Sequence, residues 1–352
     1  MPRPIYNMGN TCYLNSCLQI LFAIPDIHTI INLPRTQQIL SEFNQNNNNT
    51  DNYYDKLLTI EWCNMCKHVV DTEIGTPIAP YQFLKTAFKL ANQKHMESFI
   101  PCSQNDAGEF LQLFINSLHD TLKRPVHMNI RGTEKTNKDK VAVKCYLFLK
   151  SIYDKEYSEI YETFYGLQYT EIVRVSDSKI LSIRPEHYFT INVDIPTDSS
   201  QRYTLQQLVK YGLRDELMEG ENAFFNDETG QKENVIKRTR FWNYPPVLVF
   251  CLKRFSYEKG YPEKIQSMVD FPVIESLDIS QYLSGYGSFP SQYKLFGICN
   301  HLGNADGGHY NSFVYTGDQW FYCDDTTIEM VPTDKVPTIA TMYAYLLFYR
   351  RL

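Results

Sequence analysis

A helix-patterned front half followed by a strand-patterned back half predicts an α+β fold, with a cleft where the two halves meet. Three stretches carry that expectation. After Asn10-Thr11, apolar residues at Leu14, Cys17, Leu18, Leu21 and Phe22 follow helical spacing, with Asn10 or Thr11 available as the cap. From Ser103 onward, Ala107, Phe110, Leu111, Phe114, Ile115 and Leu118 fall on one helical face, and Ser103-x-x-Asp106 resembles a capping box. From about residue 160 the pattern changes: Ile191-Asn192-Val193-Asp194-Ile195 alternates, and Val247 to Leu252 is an unbroken apolar run.

The 352 residues are enough for one large domain with subdomains, and 43% hydrophobic content with 14% aromatics supports a substantial core. A net charge of −6 speaks against a nucleic-acid partner, which calls for a basic stripe, and is compatible with a basic protein partner. No run approaches the roughly 18 apolar residues of a membrane helix, and the start, Met1-Pro2-Arg3-Pro4, lacks a signal peptide's apolar segment. Nine scattered cysteines, an odd number, favour reduced thiols in cytoplasm or nucleus over a disulfide framework.

No internal repeat is visible. Asn44 to Asn52 is polar and low in complexity, and Arg131 to Lys140 is charged; both are expected to be surface loops, the second mobile. Neither is expected to be a linker, because residues needed together lie on both sides.

The chemistry centres on a thiol and an imidazole. Cys12 stands at the entry of its predicted helix, where free backbone N–H groups and the helix dipole favour a thiolate; the plain alternative is a small buried hydrophobe. Cys17 falls on the apolar register and is the structural one. His309 follows Gly307-Gly308, which permit close approach, and opens a predicted hairpin whose turn is Thr316-Gly317. That turn sets His309 directly across from Asp324, with Cβ atoms about 5 Å apart. A carboxylate there holds the ring in a useful tautomer. Asp325 is then expected to point to the other face, as an auxiliary at most. His301 lies outside this register and is expected to line a cleft or serve structure. Asn7 offers an amide for an oxyanion, with the Cys12 N–H as a second donor; without that role it is a turn residue.

These residues resemble the ubiquitin-specific proteases. Asn7 to Ser16 is similar to the family's cysteine box, Gln104 to Leu111 to its acidic helix motif, and Leu252-Lys253-Arg254-Phe255 to a palm strand. Phe271-Pro272 with Leu277 to Leu283 is similar to the next segment. Tyr293-x-Leu295-x-Gly297, His301-x-Gly303 and Gly307 to Tyr310 resemble the histidine box, and Trp320 to Asp325 its acidic end. The order is the family's and nearly the whole chain is covered. The resemblance implies a papain-like cysteine protease fold in one catalytic domain over 1–352: a helical thumb to about 125, β fingers at about 165–245, and a palm from the rest. It implies Cys12 as nucleophile, His309 as base, Asp324 as orienter and Asn7 as oxyanion donor. Ubiquitin or a ubiquitinated protein would be the partner. Gln104, Asp106 and Glu109 would hold its basic tail, and His301 and Tyr310 would line the tail channel.

Two departures stand out. Asn105 replaces the family's second glutamine. Many members also hold a structural zinc in the fingers with two CxxC pairs; the corresponding Arg174-Val175-Ser176-Asp177 and Asn226-Asp227-Glu228-Thr229 contain no cysteine, so no metal or other cofactor is expected. Trp62-Cys63-x-x-Cys66 is expected to be two helix cysteines one turn apart rather than a zinc or redox pair. Two other readings are a catalytically inactive ubiquitin-binding scaffold and a protease for another ubiquitin-like modifier.

Overall fold

The computed structural model describes residues 1–43, 52–197, 201–256, 260, 263–286, 290–304 and 307–352. Asn44 to Asp51, most of the expected polar loop, and Asp306 lie outside the described residues. The chain runs through helices up to Phe164 and is dominated by strands from Gly166 onward, in line with the predicted α+β order.

The helical half is organised by apolar stripes. The helix Cys12–Phe22 is buried along nearly its whole length, and it packs against the helix Ala107–Leu122 and the sheet beyond. Trp62 of the helix Tyr53–Asp71 stacks on Phe22 with centroids 4.8 Å apart and packs on Phe83 and Phe114, which in turn meet Phe110. Among the described residues, no single helix is long and apolar enough to cross a membrane.

The central sheet has, among the described residues, the order Thr327–Met330, Gln319–Asp324, Gly307–Thr316, Gln292–Asn304, Ala344–Arg351, Val247–Lys253, Thr190–Asp194. All neighbours are antiparallel except the last pair. The run Val247 to Leu252 is apolar throughout because both faces of this sheet are covered. Val249 and Phe348 meet the helical core, whereas Leu248, Phe250, Leu347 and Tyr349 join a second core beneath the helix Leu205–Gly212. Gly297 lets the two halves touch: a Cβ there would stand 2.7 Å from Ile20 Cγ2. Any side chain at this position would push the Cys12 helix off the sheet. A separate four-stranded sheet has the order Ile180–Tyr188, Gly166–Arg174, Val235–Asn243, Glu216–Met218.

Three local expectations need correction. The predicted hairpin turn is displaced: Thr316 pairs with Gln319, so Gly317-Asp318 is the loop, both with positive φ (58° and 63°) as a type I′ turn requires. The Arg131 to Lys140 segment is loop only to Thr136. Thr136 and Asp139 form a reciprocal capping box, and a 20-residue helix, Asn137–Glu156, begins there. The capping signal at Ala107 also sits three residues later than predicted. Asp106 is the cap, accepting the Glu109 N–H at 2.9 Å, and Ser103 lies outside the helix.

Candidate active site

Cys12 begins its helix behind a tight loop. Gly9 (φ 99°) and Asn10 (φ 55°) take left-handed conformations, which fold the chain back on Asn7. Asn7 Oδ1 accepts the N–H groups of Gly9 and Thr11 at 3.0 and 3.1 Å, and Thr11 Oγ1 accepts that of Met8 at 2.8 Å. Neither Asn10 nor Thr11 caps the helix through its side chain; Thr11 occupies the cap position with its hydroxyl turned to the loop.

Cys12 is only 4% exposed as a residue, and its helix packs on the strand Gly307–Thr316. Burial pushes the thiol pKa above the ordinary value. The backbone N–H groups of Tyr310, Tyr13 and Cys12 pull the other way, and the Asp325 carboxylate raises it further. The expected lowering at a helix start is therefore reversed, because desolvation of the sulfur outweighs the amide dipoles. Alkylation of Cys12 by chloroacetamide in the ubiquitin-free chain is accordingly expected to speed up about tenfold per pH unit from 7 to 9. A rate that levels off below pH 8 would contradict this.

His309 and Asp324 meet although the turn is displaced. His309 Nε2 lies 2.6 Å from Asp324 Oδ1, with side chains 43% and 29% exposed. The true turn moves the register by two residues, so Asp324 is a diagonal rather than a direct neighbour of His309. An even shift keeps both on one face. Asp324 Oδ2 accepts the Tyr322 hydroxyl at 3.0 Å, and that hydroxyl accepts an N–H from Asn311 at 3.2 Å. With Nε2 on the carboxylate, Nδ1 is the ring atom left for a thiol.

Asp325 has a larger part than a residue on the far face would. Its strand ends at Asp324, and the two-residue turn to Thr327 puts Asp325 in the left-handed region at φ 50°. Its carboxylate swings onto the Cys12 helix, accepting Asn15 Nδ2 at 2.7 Å and Asn7 Nδ2 at 2.9 Å. Asn7 is thus both the turn residue of the loop and an amide aimed by a carboxylate. Asn15 was missed by sequence reasoning. Its signal was a polar residue one helical turn past Cys12 on a buried register, where a partner is obligatory. His309, Asp324 and Asp325 offer ligand atoms all within 4.8 Å of one another, yet the carboxylate oxygens are each engaged by a protein donor or the imidazole.

Of the residues expected to hold or line the tail, Gln104, Asp106 and His301 bond to or pack on the strand that carries His309 and Tyr310, and Glu109 does not. Exposed Gln104 accepts the Gly308 N–H at 2.7 Å, tying the helical half to the residue before His309. Asp106 Oδ2 accepts the hydroxyls of Tyr345 at 2.7 Å and Tyr310 at 3.5 Å, so this carboxylate also bridges helix and sheet. Glu109 is exposed and accepts the Ser98 hydroxyl. Asn105 is buried, linking the Ile100 and Ser103 backbone to the Tyr13 hydroxyl. His301 and Tyr310 are buried against each other with centroids 4.7 Å apart. Burial, with Lys264 and His309 nearby, lowers the His301 pKa to about 4. A cavity of about 750 Å³ lies elsewhere, lined among others by Phe22, Trp62, Cys63 and Cys66. Burial raises those two thiols to about 11 and 12, against thiolate chemistry.

The stretches expected to have lost a metal site do not fit zinc. Arg174 Nε and Nη1 pair with Glu233 at 2.5 Å and Asp177 at 3.0 Å, and Glu233 also accepts Asn226 Nδ2 at 2.9 Å. A guanidinium among carboxylates and an amide is not a donor set for a tetrahedral zinc site.

The family model described as ubiquitin carboxyl-terminal hydrolase matches residues 4–349. Mouse (Mus musculus) ubiquitin carboxyl-terminal hydrolase 17-like protein D is 29% identical over 98% of this chain and 54% of its own length. The human (Homo sapiens) ubiquitin carboxyl-terminal hydrolase 21 is 26% identical over 98% of this chain and 60% of its own. The chain therefore spans little more than half the length of these relatives. A solved structure of the yeast SAGA DUBm with Sgf73 superposes with a TM-score of 0.70 at 22% identity, over 100% of this chain and 68% of that one; this likeness bears on the fold, papain-like and α+β. With the match extending over nearly every residue from the Asn7 loop to the last strand, the chain belongs to the ubiquitin carboxyl-terminal hydrolase family.

Proposed function

We propose that this chain is a thiol-dependent deubiquitinase that cleaves the isopeptide or peptide bond after the C-terminal glycine of ubiquitin. The observation that carries the reading is the 2.6 Å contact of Asp324 with His309, which stands on the strand whose Tyr310 N–H bears on the Cys12 sulfur. His309 takes the Cys12 proton, and the thiolate attacks the glycine carbonyl. Asn7, aimed by Asp325, and the Cys12 N–H steady the oxyanion. The imidazolium then protonates the departing lysine amine, leaving a thioester. Water, deprotonated by His309, hydrolyses the thioester and frees the thiol. Asp324 orients the ring and offsets its positive charge. Glu109 and Gln104 stand at the rim, and Asp106, Tyr310 and His301 beneath it, where the basic tail would pass. In this reading the thumb runs to about residue 125, the fingers over about 165–245 and the palm over the rest, working in a reducing compartment.

The test is a panel of C-terminal aminocoumarin amides of ubiquitin and of other ubiquitin-like modifiers. Preferred turnover of the ubiquitin amide is expected. Preference for another modifier would move the substrate, and no turnover of any would leave a binding scaffold.

The proposal includes fingers that need no metal. A chelator is then expected to leave Tm unchanged, whereas Glu233→Gln lowers it at pH 7. Arg174, with Asn226 and Thr229, holds the Glu233 pKa down to about 2. Its stabilising effect is therefore full above the unfolded value near 4.5 and fades as pH falls toward 2. The Tm gap between variant and parent should shrink at pH 3; a gap that widens there, or a chelator-induced drop, would contradict the reading.

A further inference from the structure

Lys264 has no part in the reaction just described, yet its ammonium makes three contacts with the strand facing His309. In that pairing His301 stands opposite Tyr310, Leu302 opposite His309 and Gly303 opposite Gly308. Lys264 Nζ donates to the His301 carbonyl at 2.5 Å, the Gly303 carbonyl at 3.1 Å and His301 Nδ1 at 2.9 Å. The three acceptors match the three protons of an ammonium. The two carbonyls flank Leu302, so they brace the rung of the ladder that carries His309. The bond to Nδ1 also leaves the His301 proton on Nε2 and fixes its ring plane. That ring occupies the space above Gly308, where a Cβ would collide with it, and lies 4.7 Å from the Tyr310 ring. It therefore touches the residue on each side of His309.

We infer that Lys264 is a positioning residue for His309, clamping the rung opposite it and pressing the His301 ring against Gly308 and Tyr310. This rests on the proposed reaction and deepens it. The groups around the ammonium are few. The Arg254 guanidinium is fully buried and donates to the carbonyls of Ala344, Ile265 and Ser267, and the Tyr343 ring lies 5.9 Å away. His301 lies between Lys264 and His309. Among the described residues no carboxylate pairs with Lys264. Burial and the Arg254 charge lower its pKa to about 8. The clamp is complete below that pH and weakens above it.

The experiment measures kcat and KM for the ubiquitin aminocoumarin amide from pH 6.5 to 9.5 in the parent, Lys264→Met and Lys264→Gln. Ubiquitin Kd is measured in the Cys12→Ala background with and without the Lys264 change. A base displaced by even 1 Å can cost about 10²-fold. We expect Lys264→Met to lower kcat at least about tenfold at pH 7 with Kd within about twofold. The parent's fall in kcat near pH 8 should disappear from the variant, which has no ammonium to lose. Lys264→Gln, uncharged but with an amide able to donate to one of the carbonyls, keeps part of the clamp. A kcat between those of parent and Met variant, with the alkaline fall absent, is expected, and this reading serves if the Met variant does not fold. An unchanged kcat, a loss mirrored in Kd, or the same alkaline fall in parent and variants would overturn the inference. Turnover by Cys12→Ala alone would instead remove the underlying reaction.

Discussion

Cys12→Ala is expected to lose all measurable turnover of ubiquitin C-terminal amides while binding ubiquitin with about the affinity of the parent. Deleting the nucleophile of such a constellation typically lowers kcat by on the order of 10⁴ or more, since no other step can form the thioester. The change removes one sulfur from a residue that is 4% exposed at the first turn of its helix. The loop before it is held by Asn7, Thr11 and the bond that Asn7 donates to Asp325, none of which uses the thiol. Folding should therefore survive, and isothermal titration with ubiquitin should separate lost chemistry from lost binding. Retained turnover would reject the nucleophile assignment.

The second large effect is expected at Asp324. Asp324→Ala removes the acceptor 2.6 Å from His309 Nε2 and the anchor of the Tyr322 hydroxyl, freeing the ring to rotate. A drop in kcat of about 10² or more is expected, the usual scale for a mispositioned general base. Asp324→Asn keeps an acceptor but loses the charge that offsets the imidazolium, so a smaller loss is expected. Asp325→Asn should slow turnover less than Asp324→Asn, because Asp325 does not hold the His309 ring: it acts through its bonds with Asn7 and Asn15, and its charge raises the Cys12 pKa, so its removal also favours the thiolate. Steady-state kinetics of the three variants decide the order; its reversal would make the oxyanion side the more demanding part of the site.

The order of helices and strands, and the contact of His309 with Asp324 on the sheet that covers the Cys12 helix, were legible because periodicity and motif order are properties of the chain itself. The pairing of His309 with Asp324 came from an incorrect turn. It survived because Thr316-Gly317 and Gly317-Asp318 give registers two apart, which preserve the face. What was not legible depends on the third dimension. The Asp325 side chain is directed by a left-handed turn that strand alternation cannot reveal. The Cys12 thiol is raised rather than lowered because the sheet covers it, a fact local to no helix. The helix at Asn137 was overlooked because its charge suggested a loop, although Thr136-x-x-Asp139 carried the start signal. Motif order marks Asp106 and Gln104 only as substrate-facing residues; in the structure both are bonded to the sheet, so they also tie the two halves together beside the site.

All of this turns on whether one sulfur, and no other of the nine, meets the ubiquitin terminus. Ubiquitin bearing a C-terminal propargyl amide should add one ubiquitin mass to the chain, mapped by peptide mass spectrometry to Cys12 and absent in Cys12→Ala. An adduct on another cysteine, or none despite measurable ubiquitin binding, would contradict the account.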